Sequence, residues 1–320
     1  MEKVLKRFTI RTGAMQQVLI FASLIGMFII FSLASPNFAQ FENIIGILLA
    51  TAVNGILAVG VTFVIITSGI DLSIGTVMTF SSVMAGVFIT FWRLPVIVGV
   101  LAGIGAGTLC GLINGTIISK LKMPPFIATL GMMMIAKGLS LVISGLKPIY
   151  FVDTPVFSKI AMGSILQIPN AVIVFFGAAI VASLILTKTV LGRYTFAIGS
   201  NEEAARLSGI NVDAWKIAIY ALCGFFTGLA GVMMASRLNS AQPSLGQGYE
   251  LEAIAAAVIG GTSLSGGEGT ILGTVIGAFI MSVLTNGLRI LSIPQEWQTV
   301  ITGIIVIVAV YVDILRRHQR

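Results

Sequence analysis

The stretch Val96–Gly115, VIVGVLAGIGAGTLCGLING, carries no charge in twenty residues and sets a glycine at every fourth position: Gly99, Gly103, Gly107, Gly111 and Gly115. About 20 apolar residues is the length at which a helix crosses the hydrocarbon core of a bilayer. A four-residue period places all five glycines on one helix face, where a second helix can approach backbone to backbone. The stretch therefore reads as a membrane helix with a packing stripe. Gly269, Gly273 and Gly277 repeat the device later in the chain. Both stripes are read as packing and not as ligand sites.

The rest of the chain agrees with this reading. Of 320 residues, 57% are hydrophobic and 10% charged, and the mean hydropathy is +1.03. A soluble fold needs more polar surface than that. The alternating ten-residue pattern of a membrane barrel is absent, so the chain is expected to be an all-α integral membrane protein. The basic N-terminus leads into an apolar run, Val18 to Ala34, longer than the 7 to 15 residues of a cleaved leader. That run is read as a retained first span. Cys110 and Cys223 both lie in apolar stretches and read as small buried hydrophobes. His318 is the one histidine and sits in a basic tail, so no histidine-based metal or acid–base site can form.

Windows of about 19 residues give ten candidate spans: 17–35, 44–67, 72–91, 95–118, 125–145, 169–187, 213–235, 250–262, 270–289 and 297–314. The eighth is short and rich in small residues. With the N-terminus inside, Lys3, Lys6, Arg7, Arg11, Lys120, Lys122, Lys188, Arg193, Arg206, Lys216, Arg316, Arg317 and Arg320 share one side, against Arg93, Lys147, Lys159, Arg237 and Arg289 on the other. The positive-inside rule then makes both termini cytoplasmic. The net charge of +7 is explained by topology and requires no nucleic-acid partner.

Two polar breaks, SGIDLSIG (Ser68–Gly75) and NSAQPSLG (Asn239–Gly246), fall at matching places in the two halves. With the two glycine stripes they predict an inverted repeat relating spans 2–5 to spans 7–10, an arrangement that points to a transport pathway. Asp71, in the first break, can cap the third span or line the pathway; capping is the preferred reading. Lys137 lies within a span and is expected to face the bundle.

The segment NEEAARLSGI (Asn201–Ile210) interrupts the apolar pattern. Asn201 can cap a short helix, Glu202 and Glu203 suit its positive end, and Gly209 suits its close. Local pattern leaves an ordinary capped loop equally open.

This segment, with its paired alanines and following glycine, resembles the coupling loop of ATP-binding cassette importer permeases. The resemblance extends through TSGIDLSIGT, PPFIATLGMM and the long segment from Leu238 to Ile280, and is to the permeases for ribose, xylose and galactose, the ribose type above all. It implies a single permease domain over 1–320, with a coupling segment at about 192–212 made of Asn201, Glu202, Glu203, Ala204, Ala205, Arg206, Leu207, Ser208, Gly209 and Ile210. It implies a homodimer in the bacterial inner membrane that works with an extracytoplasmic sugar-binding protein and a cytoplasmic ATPase with two nucleotide-binding halves. No G-x-x-x-x-G-K-[ST] loop occurs in the chain, so ATP is expected to be used by the partner, and no cofactor is expected on this chain.

Asp71, Ser73, Asn114, Thr129, Gln242, Ser244, Gln247 and Asn286 are the candidate pathway residues, suited by their hydrogen-bonding groups to a neutral sugar. The loop 146–170, with Tyr150, Asp153 and Lys159, is the candidate docking site for the binding protein. An ion-coupled secondary sugar transporter is the rival reading, with Asp71 and Lys137 as its coupling groups. A membrane enzyme is disfavoured, since no nucleophile arrangement or close carboxylate pair is seen within a span.

Overall fold

The computed structural model describes residues 2–318, with side chains over 17–311 and at Ile314. The basic residues used above to orient the ends, Lys3 to Arg11 and Arg316 to Arg320, lie outside the described side chains. Thirteen helices are seen among the described residues. They are α1 (Glu2–Ala34), α2 (Phe41–Ile66), α3 (Ile74–Gly86), α4 (Val96–Lys120), α5 (Pro125–Ser144), α6 (Pro155–Met162), α7 (Asn170–Lys188), α8 (Val190–Ser200), α9 (Glu202–Leu207), α10 (Val212–Leu238), α11 (Tyr249–Ile259), α12 (Ile271–Ile290) and α13 (Gln295–His318). A π-helical turn, Val87–Phe91, prolongs α3.

Eight of these are long and apolar enough to cross a membrane: α1, α2, α3 with its π turn, α4, α5, α7, α10 and α12. The described apolar part of α13 runs from Gln295 to Tyr311, overlapping the expected tenth span, 297–314. The eighth expected span, short enough in sequence to be broken or to stop part-way, does stop part-way. Its helix, α11, has 11 residues, about 16 Å at 1.5 Å per residue, or half of a roughly 30 Å core. Its small-residue composition gives the hydropathy of a span without the length. The strand content is two antiparallel pairs of two-residue segments, β1 (Ile149–Tyr150) with β4 (Ser240–Ala241) and β2 (Ser164–Ile165) with β3 (Ile168–Pro169).

Helix α2 is the axis of the bundle, with every residue from Thr51 to Ile66 buried. It is covered by α7, α10, α11 and α12. The glycine stripe of α4 packs on α10: a methyl group added at Gly107 would run into the backbone of Gly224 and Gly228, and one at Gly111 into the Tyr220 carbonyl. The later stripe packs α12 on α11, Gly273 against the Gly260 carbonyl and Gly277 against that of Ala256. Close contact between backbones is how membrane helices associate where lipid offers no hydrophobic drive.

The neighbours of each helix follow one rule. Helix α4 packs on α3 and α10, and α12 packs on α11 and α2; α5 lies on α3, and α13 on α11; α10 touches α3, and α2 touches α11. Exchanging α2 with α10, α3 with α11, α4 with α12 and α5 with α13 maps this set of contacts onto itself, as a repeat requires.

The long connection between α5 and α7 folds back onto the end of α10. Ser236 Oγ donates to the Phe157 carbonyl at 2.6 Å and accepts from Ala161 N at 2.9 Å. The β1–β4 pair closes over the same end, opposite to the face that carries α9.

Candidate functional site

Two places gather polar side chains among the described residues. The first is the face carrying α9. Asn201 Oδ1 accepts from Ala204 N at 2.9 Å, which caps the start of α9. At its end Gly209, at φ +82°, takes the left-handed conformation. Gly209 N donates to the Arg206 carbonyl at 3.1 Å and Ile210 N to the Ala205 carbonyl at 3.2 Å. Those two bonds are a Schellman close. Ala205 is buried with Ile198 and Val212, and Tyr194, Ile210 and Trp215 pack around them. A six-residue helix is too short to hold itself together; two caps and one small apolar seat fix this one.

Charges secure it from the side. Glu202 accepts from Lys216 Nζ at 2.6 Å and lies 3.4 Å from Arg206; Asp213 accepts from Lys122 Nζ at 2.8 Å and lies 3.2 Å from Arg206. The network joins α9 and the start of α10 to the turn after α4. The Lys122 hydrogen bond holds the Asp213 carboxyl below its usual range, against a small desolvation effect and with help from Arg206. At Glu202 partial burial pushes upward, but the hydrogen bonds and charges of Lys216 and Arg206 prevail and leave it lowered. Glu203, Ala204, Leu207 and Ser208 face outward, and Leu207 is 84% exposed. Beneath this face Gly267 N donates to the Ile66 carbonyl at 2.8 Å, and Ser68 Oγ to the Ser265 carbonyl at 2.7 Å. The end of α2, the end of α8 and the loop 260–270 thus meet under α9.

The second place is where the polar breaks meet inside the bundle. Helices α3 and α11 both start there. The Glu250 carboxylate and the Gly246 carbonyl close over Gly75, and Thr79 Oγ1 donates to the Leu245 carbonyl at 2.6 Å. Backbone without helical bonds is tolerated at this depth only where protein covers it, and Ala241, Pro243 and Gly246 are buried.

Of the expected pathway residues, three come together. Ser73 donates to Asp71 Oδ1 through both N, at 2.9 Å, and Oγ, at 2.6 Å, and Asn114 Nδ2 donates to Ser73 Oγ at 3.1 Å. Asp71 is not the N-cap of α3: that position is Ser73. Two further residues of turn separate the carboxylate from the helix, so it caps the turn and not the first helical N–H groups.

The others scatter. Thr129 is fully buried and bonds back to the Pro125 carbonyl. Asn286 and Asn43 exchange amide hydrogen bonds at 2.9 and 3.1 Å. Gln242 donates to Ser240 Oγ at 3.4 Å, and Ser244 is exposed. Gln247 accepts from Lys137 Nζ at 3.3 Å, and Lys137 is exposed where a bundle-facing side chain was expected.

Sequence reasoning missed Asn54, Glu250 and Glu252. Asn54 Nδ2 donates to Glu252 Oε2 at 2.9 Å. The signal was present: Glu250-Leu251-Glu252 opens α11 as Asp71-Leu72-Ser73 opens α3.

Comparison with known proteins decides the family. The family described as "Branched-chain amino acid transport system / permease component" matches over residues 43–310. The chain is 44% identical over 302 residues to the ribose import permease protein RbsC of Bacillus subtilis, with 94% of each chain covered. It is 40% identical over 311 residues to RbsC of Escherichia coli K12, with 96% of each covered. The chain belongs to this permease family. A fructose import permease, FrcC of Rhizobium meliloti, is 39% identical to the permease over 275 residues, covering 83% of this chain and 76% of its own. No solved structure matches the permease. The matched residues include the starts of α3 and α11 and the whole α9 face.

Proposed function

We propose that this permease is the transmembrane subunit of an ATP-binding cassette importer for a monosaccharide, ribose first among the candidates. In this reading two copies of the chain sit in a bacterial inner membrane with both termini in the cytoplasm. An extracytoplasmic binding protein delivers the sugar, and a cytoplasmic ATPase with two nucleotide-binding halves supplies the work. The permease binds no cofactor, and ATP is hydrolysed on the partner.

The observation that carries this reading is the construction of α9. A six-residue helix is capped at both ends, seated by one buried alanine and held by three ion pairs, and still turns Glu203 and Leu207 outward. A solvated loop has no need of such fixing; a surface that must transmit force does. Movement of α9 would pass through Asp213 and Lys216 into α10 and through Lys122 into the α4–α5 turn, and α10 and α4 both pack on α3. Alternating access would follow from shifting these helices against the α2, α11 and α12 group.

The test is Glu203→Lys, which alters the outward face and no described contact of the fold. Membrane insertion is expected to be normal, while copurification with the ATPase and ATP-driven ribose uptake in proteoliposomes are lost. Normal copurification with normal uptake would overturn the coupling role. Gly209→Pro is expected to give the same loss by opening the close of α9.

A further inference from the structure

The junction of α3 and α11 holds a pair of asparagines in matching situations. Asn114 Nδ2 donates to Ser73, the N-cap of α3, and Asn54 Nδ2 donates to Glu252, in the first turn of α11. Asn114 is 1% exposed and Asn54 is 3% exposed. The carbonyl oxygen of each is buried with no hydrogen-bond partner. Buried polar atoms are almost always satisfied, so two orphans of one kind at one junction call for a shared explanation.

The α3–α11 junction lies between the two asparagines. Asn114 touches Ser73, the Glu250 carboxylate lies over Gly75 two residues on, and Glu252 follows on α11 with Asn54 against it. Every side-chain oxygen in this chain of contacts that lacks a donor is an acceptor. A molecule that completes it must therefore bring donors. A cation could meet carbonyls and carboxylates, but two helix N-termini converge here and their positive ends oppose one. No group of three or more acidic, cysteine or histidine side chains suited to a metal occurs among the described residues. A neutral molecule rich in hydroxyl groups meets both conditions.

We propose that the α3–α11 junction is a way-station for the sugar in transit, at which hydroxyl groups of a neutral polyol donate to Asn54 Oδ1 and Asn114 Oδ1 and to the Glu250 and Glu252 carboxylates. The conformation described has the station closed: Gly75 against Gly246 and Glu250, and Thr79 against Leu245, are the contacts that shut it. Parting the starts of α3 and α11 opens the station. This station rests on the sugar-importer reading. It adds Asn54, Glu250 and Glu252 to the pathway.

The test is equilibrium binding of radiolabelled ribose to the full-length permease in nanodiscs, without ATP, ATPase or binding protein. Weak saturable binding is expected, reduced about tenfold in Asn54→Leu and in Asn114→Leu, the size that follows from losing one hydrogen bond to a buried group. Each variant also strips a buried partner of its donor, Glu252 for Asn54 and Ser73 for Asn114, so the unfolding temperature is expected to fall; binding is therefore read per folded molecule, where a merely structural asparagine would leave the affinity unchanged. Wild-type protein that binds no ribose, variants that bind as wild type does, or sodium-dependent binding would overturn the station. Should both variants fail to fold, competition on the wild type decides: ribitol displacing ribose where tetrahydrofuran does not supports the station, and equal displacement overturns it. Coupling plays no part in this assay, so Glu203→Lys leaves it unchanged and the two readings can fail separately.

Discussion

Lys122 Nζ lies 2.8 Å from Asp213 Oδ1, joining the turn after α4 to the first turn of α10 across 91 residues of sequence. The pair is partly exposed, so its worth in stability is about 0–1 kcal/mol. Its sign with pH is set by the lowered carboxyls of Asp213 and Glu202. A lowered folded value means that the contribution is complete above the ordinary values, 3.8 for Asp and 4.5 for Glu. It is lost as pH falls through the lowered ones. Exchange of α9 amides in nanodiscs, measured relative to the intrinsic rate at each pH, is therefore expected to stay flat from about pH 7 to about pH 5 and to quicken below about pH 4. In Lys122→Met the quickening should begin nearer the ordinary values. Loosening of the wild type between pH 7 and pH 5 would contradict this account.

Two glycines on α4, two residues apart and so on different faces, give the second prediction. Gly107 meets the backbone of α10, whereas Gly105 has nothing within 4 Å. Gly107→Leu must force α4 off α10 and is expected to cost at least about 1–3 kcal/mol, the range for overpacking. Gly105→Leu is expected to be neutral or to gain up to about 1 kcal/mol from helix propensity. Thermal unfolding in detergent separates them. Equal shifts would mean that the stripe is not a packing seam.

How much of this could be read from sequence depended on how local the cause was. The caps of α9 were legible because Asn201 and Gly209 act on backbone groups a few residues away. The glycine stripes were legible as packing for the same reason, although their partners were not. Helix α11 was read as a short span that could be broken, because alanine, isoleucine and valine give high hydropathy whether a helix crosses or stops halfway; the chain before it, Asn239 to Gly248, is made of turns and the two-residue β4. Asp71 was placed two residues too close to its helix, since a left-handed Ser68 at φ 59° begins a turn that hydropathy does not register. Glu250 and Glu252 stand at the very start of the expected span 250–262, where acids give no sign of burial. Only the junction with α3 shows that they are inside, and that junction joins residues some 170 apart.

Asn43 and Asn286 supply the last prediction, which separates glue from pathway. Each amide donates to the other, at 3.1 and 2.9 Å, and Asn43 Nδ2 also reaches the Phe38 carbonyl at 2.7 Å. With donor and acceptor both spent, Asn286 has little left to offer a passing sugar. Asn286→Leu is expected to strand Asn43 and cost about 1–3 kcal/mol, with the ribose affinity of the folded fraction unchanged. The double change Asn43→Leu with Asn286→Leu removes both partners and should regain part of that loss, since two apolar groups leave less polar surface stranded. Unfolding temperatures for the two singles and the double close the cycle. A double variant no more stable than the sum of the singles, or a single that weakens ribose binding without lowering stability, would return Asn286 to the pathway.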